Sequence, residues 1–448
     1  MNARELANRI CAALRDKGHQ ALLVGGCVRD ILLGREPVDY DVATDATPDE
    51  VQELFPKSIN VGARFGVIIV ATDDGPVPVE VATFRSDIGY SDGRHPDKVV
   101  YTKSPEEDAR RRDFTINALL LDPLTNEVLD FVGGRRDLQA GIVRAIGRPA
   151  DRFHEDTLRM VRAVRFAARF GYGIEASTFT AIRKLAPEIR QVSAERLRDE
   201  LTKILTEGAA RRGFELLDET DLLEQLLPEV VRMKGVEQPP QFHPEGDVWT
   251  HTLLMLGMLR AGGSPTLAWG VLLHDVGKPP TFTPPSGPNG RIRFDEHAEV
   301  GARMAEAICA RFRFSNDDAA QVVGLVANHM RFKDAAQMKP ATLKRFVRLN
   351  DFDEHLELHR LDCTSSHGVL DNYEFVRQFV AETPPEEVRP PRLLTGNDLI
   401  AMGYRPGPAF KAVLEAIEEA QLNGKIATRE AALRMAEGAF LRLEREHN

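Results

Sequence analysis

Residues 21–45 read ALLVGGCVRDILLGREPVDYDVATD and contain the most informative pattern in the amino-terminal part of the chain. The apolar run 21–24 predicts a buried strand, which ends at Gly25 and Gly26 and is followed by a helical stretch. A glycine turn of this kind exposes backbone N–H groups at a helix amino terminus, where a phosphate group can bind. The segment therefore predicts a strand–turn–helix unit that can hold a phosphorylated ligand.

Two carboxylates close this segment, and a third follows in the next apolar strand. Asp39 and Asp41 are spaced i, i+2, so in a strand both side chains would point to the same face. Adjacent negative charges are tolerated most easily where a divalent cation binds, and oxygen ligands suit Mg²⁺ or Mn²⁺. Glu80 is an acid within an apolar run and requires a partner. Each acid alone reads equally well as a solvated strand edge, but the three together predict a metal-dependent phosphoryl-transfer site.

Short β-type runs alternate with helical stretches over residues 1–145, whereas amphipathic helical patterns fill the rest of the chain. We therefore expect an α+β fold in which a small mixed-sheet head precedes a long all-α region. The predicted strands lie within 21–25, 40–44, 66–72, 77–84 and 127–133, and Asp-Asp-Gly-Pro at 73–76 predicts a hairpin turn.

The length of 448 residues predicts two to four domains at roughly 100–200 residues each. Clusters of proline and glycine at 234–246 and 382–396 predict domain borders, and a third cluster at 279–290 predicts a loop over a site. The predicted domains are a head (1–145), a helical neck (146–233), a helical body (234–385) and a helical tail (386–448).

The composition excludes several classes of protein. No apolar run approaches the roughly 20 residues of a membrane helix, and four scattered cysteines do not form a disulfide framework. We therefore expect a cytoplasmic protein without a membrane partner. The net charge of −10 argues against binding nucleic acid through overall charge, but residues 101–216 contain 21 Lys and Arg against 18 Asp and Glu, so a local basic stripe is available.

The motifs LLVGGCVRDILLG and DYDVAT resemble the signature of class II tRNA nucleotidyltransferases and bacterial poly(A) polymerases. The resemblance continues through 83–99, 110–119 and 155–170, which are similar to the flexible loop, the second conserved motif and the nucleotide-recognition helix of this family. It implies that Asp39 and Asp41 hold the catalytic metals and that Glu80 supports them. The nucleotide-binding residues that we carry over are Gly25, Gly26, Arg29, Asp30, Arg112, Asp113, Asn117, Glu155, Asp156, Arg159, Arg162 and Arg165.

The segment Glu155, Asp156 and Arg159 can also be interpreted from its chemistry. On one helix the acid and the guanidinium would share a face. Cytosine and adenine each present an amino donor beside a ring-nitrogen acceptor, so an Asp and an Arg can serve both bases, whereas guanine and uracil present the opposite pattern. An ordinary helical salt bridge is the alternative for any lone pair of this kind.

Histidine and aspartate recur in the body in an order that resembles the HD phosphohydrolase superfamily. The resemblance implies metal ligands at His251, His274, Asp275 and Asp362, with His297 and His329 completing a second metal position. Related nucleotidyltransferases often keep this body as a scaffold without the ligands, but this chain retains them, so we expect a divalent transition metal (Mn, Ni, Fe or Zn). His355, His359 and His367 lie close to Asp362 in the sequence and leave the last ligand open.

The function implied is template-independent addition of CCA, or part of it, to tRNA 3′ ends from CTP and ATP, with an additional HD phosphohydrolase activity. An A-adding enzyme, a poly(A) polymerase, a phosphohydrolase as the main activity and an RNA-binding protein with inactive sites are the alternatives. The sequence does not indicate an oligomeric state. An intact flexible loop argues against a CC-adding subtype, and the loop residues that we expect to matter are Arg85, Asp87, Tyr90, Asp92 and Arg94.

Overall fold

The computed structural model describes residues 2–62, 66–71, 78–89, 97–285 and 290–446. The chain divides into two compact units. The first comprises Met1–Val231, Leu259–Gly263 and Arg311–Arg313, and the second comprises Arg232–Met258, Ser264–Ala310 and Phe314–Asn448. The finer division into four domains stays a prediction.

A mixed seven-stranded sheet forms the head, which confirms the α+β fold. The strands are β1 (Ala21–Val24), β2 (Asp41–Thr44), β3 (Ile59–Gly62), β4 (Val67–Val70), β5 (Val79–Thr83), β6 (Arg85–Ile88), β7 (Lys98–Tyr101), β8 (Leu120–Leu121) and β9 (Val128–Leu129). The strand order in the sheet is β3-β4-β5-β2-β1-β8-β9; β2 and β5 are parallel, and the other neighbouring strands are antiparallel. A separate antiparallel pair is formed by β6 and β7.

The burial of each strand follows its sequence pattern. All four residues of β1 are buried, as expected for a central strand. In β5, Val79 and Val81 are buried while Glu80 between them is exposed, because successive side chains of a strand point to opposite faces. The antiparallel pairing of β4 with β5 agrees with the predicted hairpin, whose turn at 73–76 lies outside the described residues.

Short helices flank the sheet, and their starts are capped by side chains. Asn2 and Glu5 form a reciprocal capping box on the first helix, and Thr47 and Glu50 form another on the third. The helices of the head are α1 (Ala3–Asp16), α2 (Gly26–Leu32), α3 (Pro48–Leu54), α4 (Pro105–Arg110) and α5 (Gly134–Ala140).

Helices then continue through the neck, with one small parallel ladder between β10 (Ile142–Val143) and β11 (Gly173–Ile174). The helices are α6 (Pro149–Glu155), α7 (Arg159–Phe170), α8 (Ala176–Leu185), α9 (Ala194–Thr206), α10 (Ala210–Glu219), α11 (Leu222–Leu226) and α12 (Pro228–Val231).

Two local predictions were wrong. The expected single helix over 155–170 is broken, because Asp156 is extended and its Oδ1 accepts the N–H of Leu158, a local bond that competes with helix formation. Asp39 does not belong to a strand, since β2 begins at Asp41, opposite Val24. On the side of β1 the pairing ends at this point, because the chain beyond Val24 turns into α2.

Over its described residues the second unit is helical apart from one short antiparallel strand pair, β12 (Phe282–Thr283) with β13 (Arg293–Phe294), which the sequence did not predict. None of the described helices is long and apolar enough to cross a membrane. The helices are α13 (Val248–Gly257), α14 (Pro265–Leu273), α15 (Lys278–Thr281), α16 (His297–Arg311), α17 (Asn316–Asn328), α18 (Pro340–Phe346), α19 (Phe352–Ser365), α20 (Asp371–Glu382), α21 (Pro385–Val388), α22 (Gly396–Ala401), α23 (Pro408–Leu422) and α24 (Arg429–Glu446).

The predicted loop at 279–290 is therefore only partly irregular. Its first residues form α15 and β12, because prolines 279 and 280 fall in the first turn of a helix, where proline is tolerated. Residues 286–289 lie outside the described part of the chain.

Gly277 allows the segment after α14 to touch the start of α16. A Cβ atom at this position would lie 2.1 Å from the carbonyl oxygen of His297 and 2.6 Å from the backbone nitrogen of Gly301. Both of those contacts are to backbone, which cannot move aside as a flexible side chain can. The close approach brings His274 and Asp275, which precede the glycine, next to His297.

Replacing Gly277 with alanine is expected to lower the free energy of unfolding by about 1–3 kcal/mol, because the methyl group must push two packed backbone segments apart. Differential scanning calorimetry of the full chain would measure the change. Gly438→Ala is the control: a Cβ there has nothing within 4 Å, and alanine favours the helix. A transition temperature for Gly277→Ala equal to that of the wild type would contradict the account.

Candidate active site in the head and candidate metal centre in the body

The glycine turn after β1 lies against two charged side chains of the head. Gly25 has a φ of +75°, which favours glycine, and a Cβ there would lie 3.2 Å from Arg112 Nη1 and 3.8 Å from Asp41 Oδ2. Glycine therefore keeps this position open, so that an arginine from the 110–119 motif and the first carboxylate of β2 approach the same turn.

The three predicted carboxylates meet at this end of the sheet. Asp41 and Glu80 lie directly opposite each other on the parallel strands β2 and β5, and Asp39 precedes β2. Burial and the negative charges of Glu80 and Asp39 together raise the pKa of the Asp41 carboxyl to about 6, against the opposing effect of Arg112. A carboxyl with a pKa raised by its like-charged neighbours is one that a divalent cation would stabilise in the ionised form.

Arg29 is a buried guanidinium that anchors the other side of the turn. It is 4% exposed, donates from Nη1 to Asn117 Oδ1 at 2.6 Å and from Nε to Asp30 Oδ1 at 2.9 Å. Its guanidinium also lies over the ring of Phe170, 4.5 Å from the centroid. Asp30 therefore serves Arg29 and is not among the residues that line the cavity described below.

Asp113 links the turn to the neck. It accepts from Arg162 Nη2 at 2.7 Å and from Asn117 Nδ2 at 3.3 Å. Burial would raise the pKa of the Asp113 carboxyl, but Arg162 more than offsets this and holds it below its usual range. Because Asn117 also accepts from Arg29, a continuous chain of hydrogen bonds joins α2 to α7.

Asp108 positions two arginines and was missed by sequence reasoning. It is 1% exposed and lies 3.0 Å from Arg112 Nη2 and 2.8 Å from Arg111 Nη2. An acid followed by arginines at i+3 and i+4 in a helical segment was the signal that could have found it.

The predicted template residues have separate partners. Glu155 accepts from Arg159 Nη1 at 2.6 Å, whereas Asp156 accepts from Arg196 Nη2 of α9 at 2.8 Å. The acid that pairs with Arg159 is therefore Glu155. Asp156 is bonded instead to an arginine of another helix. Arg196 lies 40 residues away in sequence, and no local pattern indicates its role.

Arg165 is buried and already paired. It donates to Glu200 at 2.5 Å and to Glu207 at 3.1 Å, and it lies over the ring of Phe166. Its charge is thus neutralised within the neck, so Arg162 and Arg169 are the more accessible part of this arginine stripe.

A cavity of about 580 Å³ brings most of these residues together. Its lining combines four aspartates with seven arginines, a combination that suits a nucleoside triphosphate with its cation. Glu80 and Glu155 lie outside the lining. The lining residues are Gly25, Gly26, Arg29, Asp39, Asp41, Arg111, Arg112, Asp113, Asn117, Asp156, Arg159, Arg162, Arg165, Phe166 and Arg169.

The flexible-loop residues are only partly visible in the structure. Arg85 and Asp87 belong to β6, which pairs with β7. Tyr90, Asp92 and Arg94 lie outside the described residues.

In the body, His251, His274 and Asp362 form one potential ligand group, with donor atoms within 4.8 Å of one another. His251 Nε2 lies 3.1 Å from Asp362 Oδ1, and the His251 and His274 ring centroids are 5.4 Å apart. His274 Nε2 likewise lies 3.1 Å from Asp275 Oδ2, and neither of these two short contacts of a buried Nε2 atom has the geometry of a hydrogen bond. Such orphaned nitrogen atoms beside a carboxylate fit a metal ion.

Asp275, His297 and His329 form a second group. The Nε2 atoms of His297 and His329 lie 3.1 Å apart, and each is 3.7 Å from Asp275 Oδ1. Burial lowers the pKa of His329 to about 3 and also lowers that of His297, so both rings are neutral near pH 7. Their Nδ1 atoms bond to the carbonyl oxygens of Phe294 and Val326, at 2.8 Å and 2.7 Å. Two Nε2 lone pairs then face each other, an arrangement that a cation would stabilise.

The three histidines that left the last ligand open are absent from the potential ligand groups and make other contacts. His359 stacks on Phe332 with centroids 4.5 Å apart, and His355 is buried beside Gly324. The ring of His367 accepts the N–H of Val369. Asp362 is thus the carboxylate of α19 that reaches the group.

Sequence reasoning missed His243 and Glu245 in the segment before α13. They form a third group with His251, and His243 lines a cavity of about 470 Å³ in the body. The signal available was the short His-Pro-Glu sequence within a segment read as a domain border. Other lining residues include the ligands Asp275, His297, His329 and Asp362, the cations Lys278, Arg291, Arg293 and Lys333, and the aromatic residues Phe242 and Phe294.

Three family models match the chain in order. Residues 21–144 match the poly A polymerase head domain, residues 171–233 match the probable RNA and SrmB-binding site of polymerase A, and residues 248–359 match the HD domain. Domains of the first and third kinds generally use divalent metals.

Individual proteins that are similar to this chain in sequence or structure are named CCA-adding enzymes. The CCA-adding enzyme of Levilactobacillus brevis is 31% identical over 432 residues, which cover 96% of each chain. That of Lactobacillus helveticus is 40% identical over 252 residues, and this match spans 62% of its length and 55% of the present chain. The crystal structure of the Bacillus stearothermophilus CCA-adding enzyme in complex with CTP has a TM-score of 0.71 at 26% identity and covers 98% of both chains. The chain therefore belongs to the family of CCA-adding enzymes.

Proposed function

We propose that this chain is a tRNA nucleotidyltransferase that adds CCA to tRNA 3′ ends from CTP and ATP. The observation that carries the proposal is the cavity of the head, which is lined by Asp39 and Asp41 together with Asp156 and Arg159. The names of full-length relatives support the same activity, and solved structures of CCA-adding enzymes include complexes with CTP, ATP and tRNA. We place this reaction in the cytoplasm.

In this proposal Asp39 and Asp41 hold Mg²⁺ or Mn²⁺, and Glu80 supports Asp41 from the neighbouring strand. The cation, when bound, promotes attack of the tRNA 3′-hydroxyl on the α-phosphate of the incoming nucleotide and stabilises the leaving pyrophosphate. The glycine turn leaves space for the triphosphate, and Arg112, held by Asp108, faces that space.

Base choice is assigned to Asp156 and Arg159. A carboxylate that accepts and a guanidinium that donates match the amino group and ring nitrogen shared by cytosine and adenine. Arg196 orients the carboxylate and Glu155 orients the guanidinium, so both groups are held before a nucleotide binds. Guanine or uracil would leave buried polar groups unpaired, which costs about 1–3 kcal/mol per group.

Asp41→Ala is expected to reduce nucleotide addition by at least about 10²-fold, because a cation ligand at the reacting phosphate is lost. Gel analysis of radiolabelled tRNA with CTP and ATP measures addition, and filter binding measures tRNA affinity, which should stay close to that of the wild type. Asp49→Asn, an exposed carboxylate on α3, is the matched control. Full activity of Asp41→Ala would refute the assigned role.

Arg159→Ala should relax the choice of nucleotide more than it slows addition. The preference for CTP and ATP over UTP and GTP is expected to fall by about 10-fold, the effect of one lost buried hydrogen-bonding group. Competing single-nucleotide incorporations measure this ratio, with the exposed Lys184→Ala on α8 as the control. If the ratio were unchanged, Arg159 would not be a template residue.

A second activity is favoured by a separate observation in the body. Both ligand groups are complete, and the rings of His297 and His329 in the second group are neutral near pH 7. We propose that the body binds a divalent transition metal, Mn, Ni, Fe or Zn, and hydrolyses phosphate esters. Lys278 lies 2.7 Å from Asp275 Oδ2 and lines the same cavity, where its charge can attract a phosphate group.

Asp275→Asn is expected to abolish hydrolysis of p-nitrophenyl phosphate while tRNA nucleotide addition stays within about twofold of the wild type, as for independent sites. The assay is run with each of the four metals in turn, and the exposed Asp334→Asn serves as the control. Hydrolysis that persists in Asp275→Asn would assign the activity to another site.

A further inference from the structure

We infer that Glu245 is a positioning residue for the proposed metal centre of the body, because it holds His251 with Nε2 directed at the ligand group. The inference rests on the metal binding proposed above and adds a residue that does not itself touch the metal. Glu245 Oε1 lies 2.7 Å from His251 Nδ1 and 2.8 Å from His243 Nδ1. One carboxylate oxygen thus serves two imidazoles.

The other three histidines show what Glu245 replaces. His274, His297 and His329 each bond through Nδ1 to the backbone carbonyl three residues earlier, at 2.7–2.9 Å. At His251 the equivalent carbonyl belongs to Val248 and accepts the hydroxyl of Thr252 at 2.9 Å. Besides Glu245, the structure offers His251 Nδ1 only a longer contact among the described residues, to Ser365 Oγ at 3.4 Å.

A carboxylate acceptor has a stronger effect than a carbonyl. A charged acceptor makes a hydrogen bond roughly twice as strong as a neutral one, and it fixes the tautomer and raises the basicity of the imidazole. The Glu245 side chain is 7% exposed and His251 is fully buried, so water does not weaken the bond. His251 is therefore expected to be the strongest of the four imidazole donors.

The segment that carries Glu245 is shaped for this contact. Gly246 has a φ of +131°, which favours glycine, and Asp247 then caps α13 through the N–H of Thr250 at 2.8 Å. Gln238 accepts from Lys278 at 2.6 Å, and Lys278 in turn bonds to Asp275 of the other ligand group. The segment 238–247 is thus tied to both groups.

Glu245→Gln keeps the shape of the side chain but removes its charge. Metal affinity is expected to fall by about 10–100-fold, the usual effect of losing the partner of a ligating histidine. The test uses the full chain, freed of metal and titrated with Co²⁺, whose visible absorption reports coordination by imidazole. The apparent Kd and the spectrum are compared for the wild type, Glu245→Gln and Glu237→Gln, an exposed control that directly precedes this segment.

We expect a weaker binding step and an altered spectrum for Glu245→Gln, with Glu237→Gln like the wild type and the melting temperature of the metal-free protein nearly unchanged. An unchanged Kd would overturn the inference, as would a lower melting temperature of Glu245→Gln accompanied by wild-type Co²⁺ affinity. A wild-type chain that gives no imidazole-type Co²⁺ spectrum would instead refute the metal centre itself.

Discussion

The opposition of Asp41 and Glu80 across two parallel strands is the constraint on which the head depends. The register of β2 with β5 forces these carboxylates together, and partial burial makes their repulsion more costly. Nearby positive charge lowers that cost, and Arg112 supplies part of it at the glycine turn. A divalent cation supplies the remainder in our proposal. The strand pairing that forms the sheet therefore also places two carboxylates where a bound divalent cation would stabilise them.

Buried arginines extend the same logic from the head into the neck. Arg29, Asn117, Asp113 and Arg162 form one hydrogen-bonded chain, so the turn beside the phosphate space and the helix beside the base-reading residues are held in one arrangement. Positioning of this kind is a large part of catalysis in phosphoryl transfer, where the protein contributes little covalent chemistry. This arrangement also explains how a chain with a net negative charge can form a cavity rich in positive charge. The arginines lie close together there and are held in place by buried acids such as Asp108.

The sequence predicted β1, β2, β4, β5 and β9 of the head, the α+β fold and most of the residues that gather in each site, because apolar periodicity and motif order are local properties. The short strands β3, β6, β7 and β8 were not predicted. It did not predict the break at Asp156, where a side-chain bond to Leu158 competes with the helix, or the position of Asp39 outside β2. Partners distant along the chain, such as Arg196 for Asp156, depend on packing that no local pattern encodes. Glu245 was missed because its segment was interpreted as a border, although its role depends on the fold of α13.

The central proposal can be tested by identifying which nucleotides the protein adds to tRNAs with defined 3′ ends. Purified protein with Mg²⁺ is incubated with tRNAs that end at the discriminator base, at CC or at CCA, and CTP and ATP are supplied separately and together. The account predicts that the shortest tRNA gains CCA only when both nucleotides are present, and that the complete tRNA is not extended. Extension of the CC end alone would indicate an A-adding enzyme, long tails a poly(A) polymerase, and no extension at all would contradict the account.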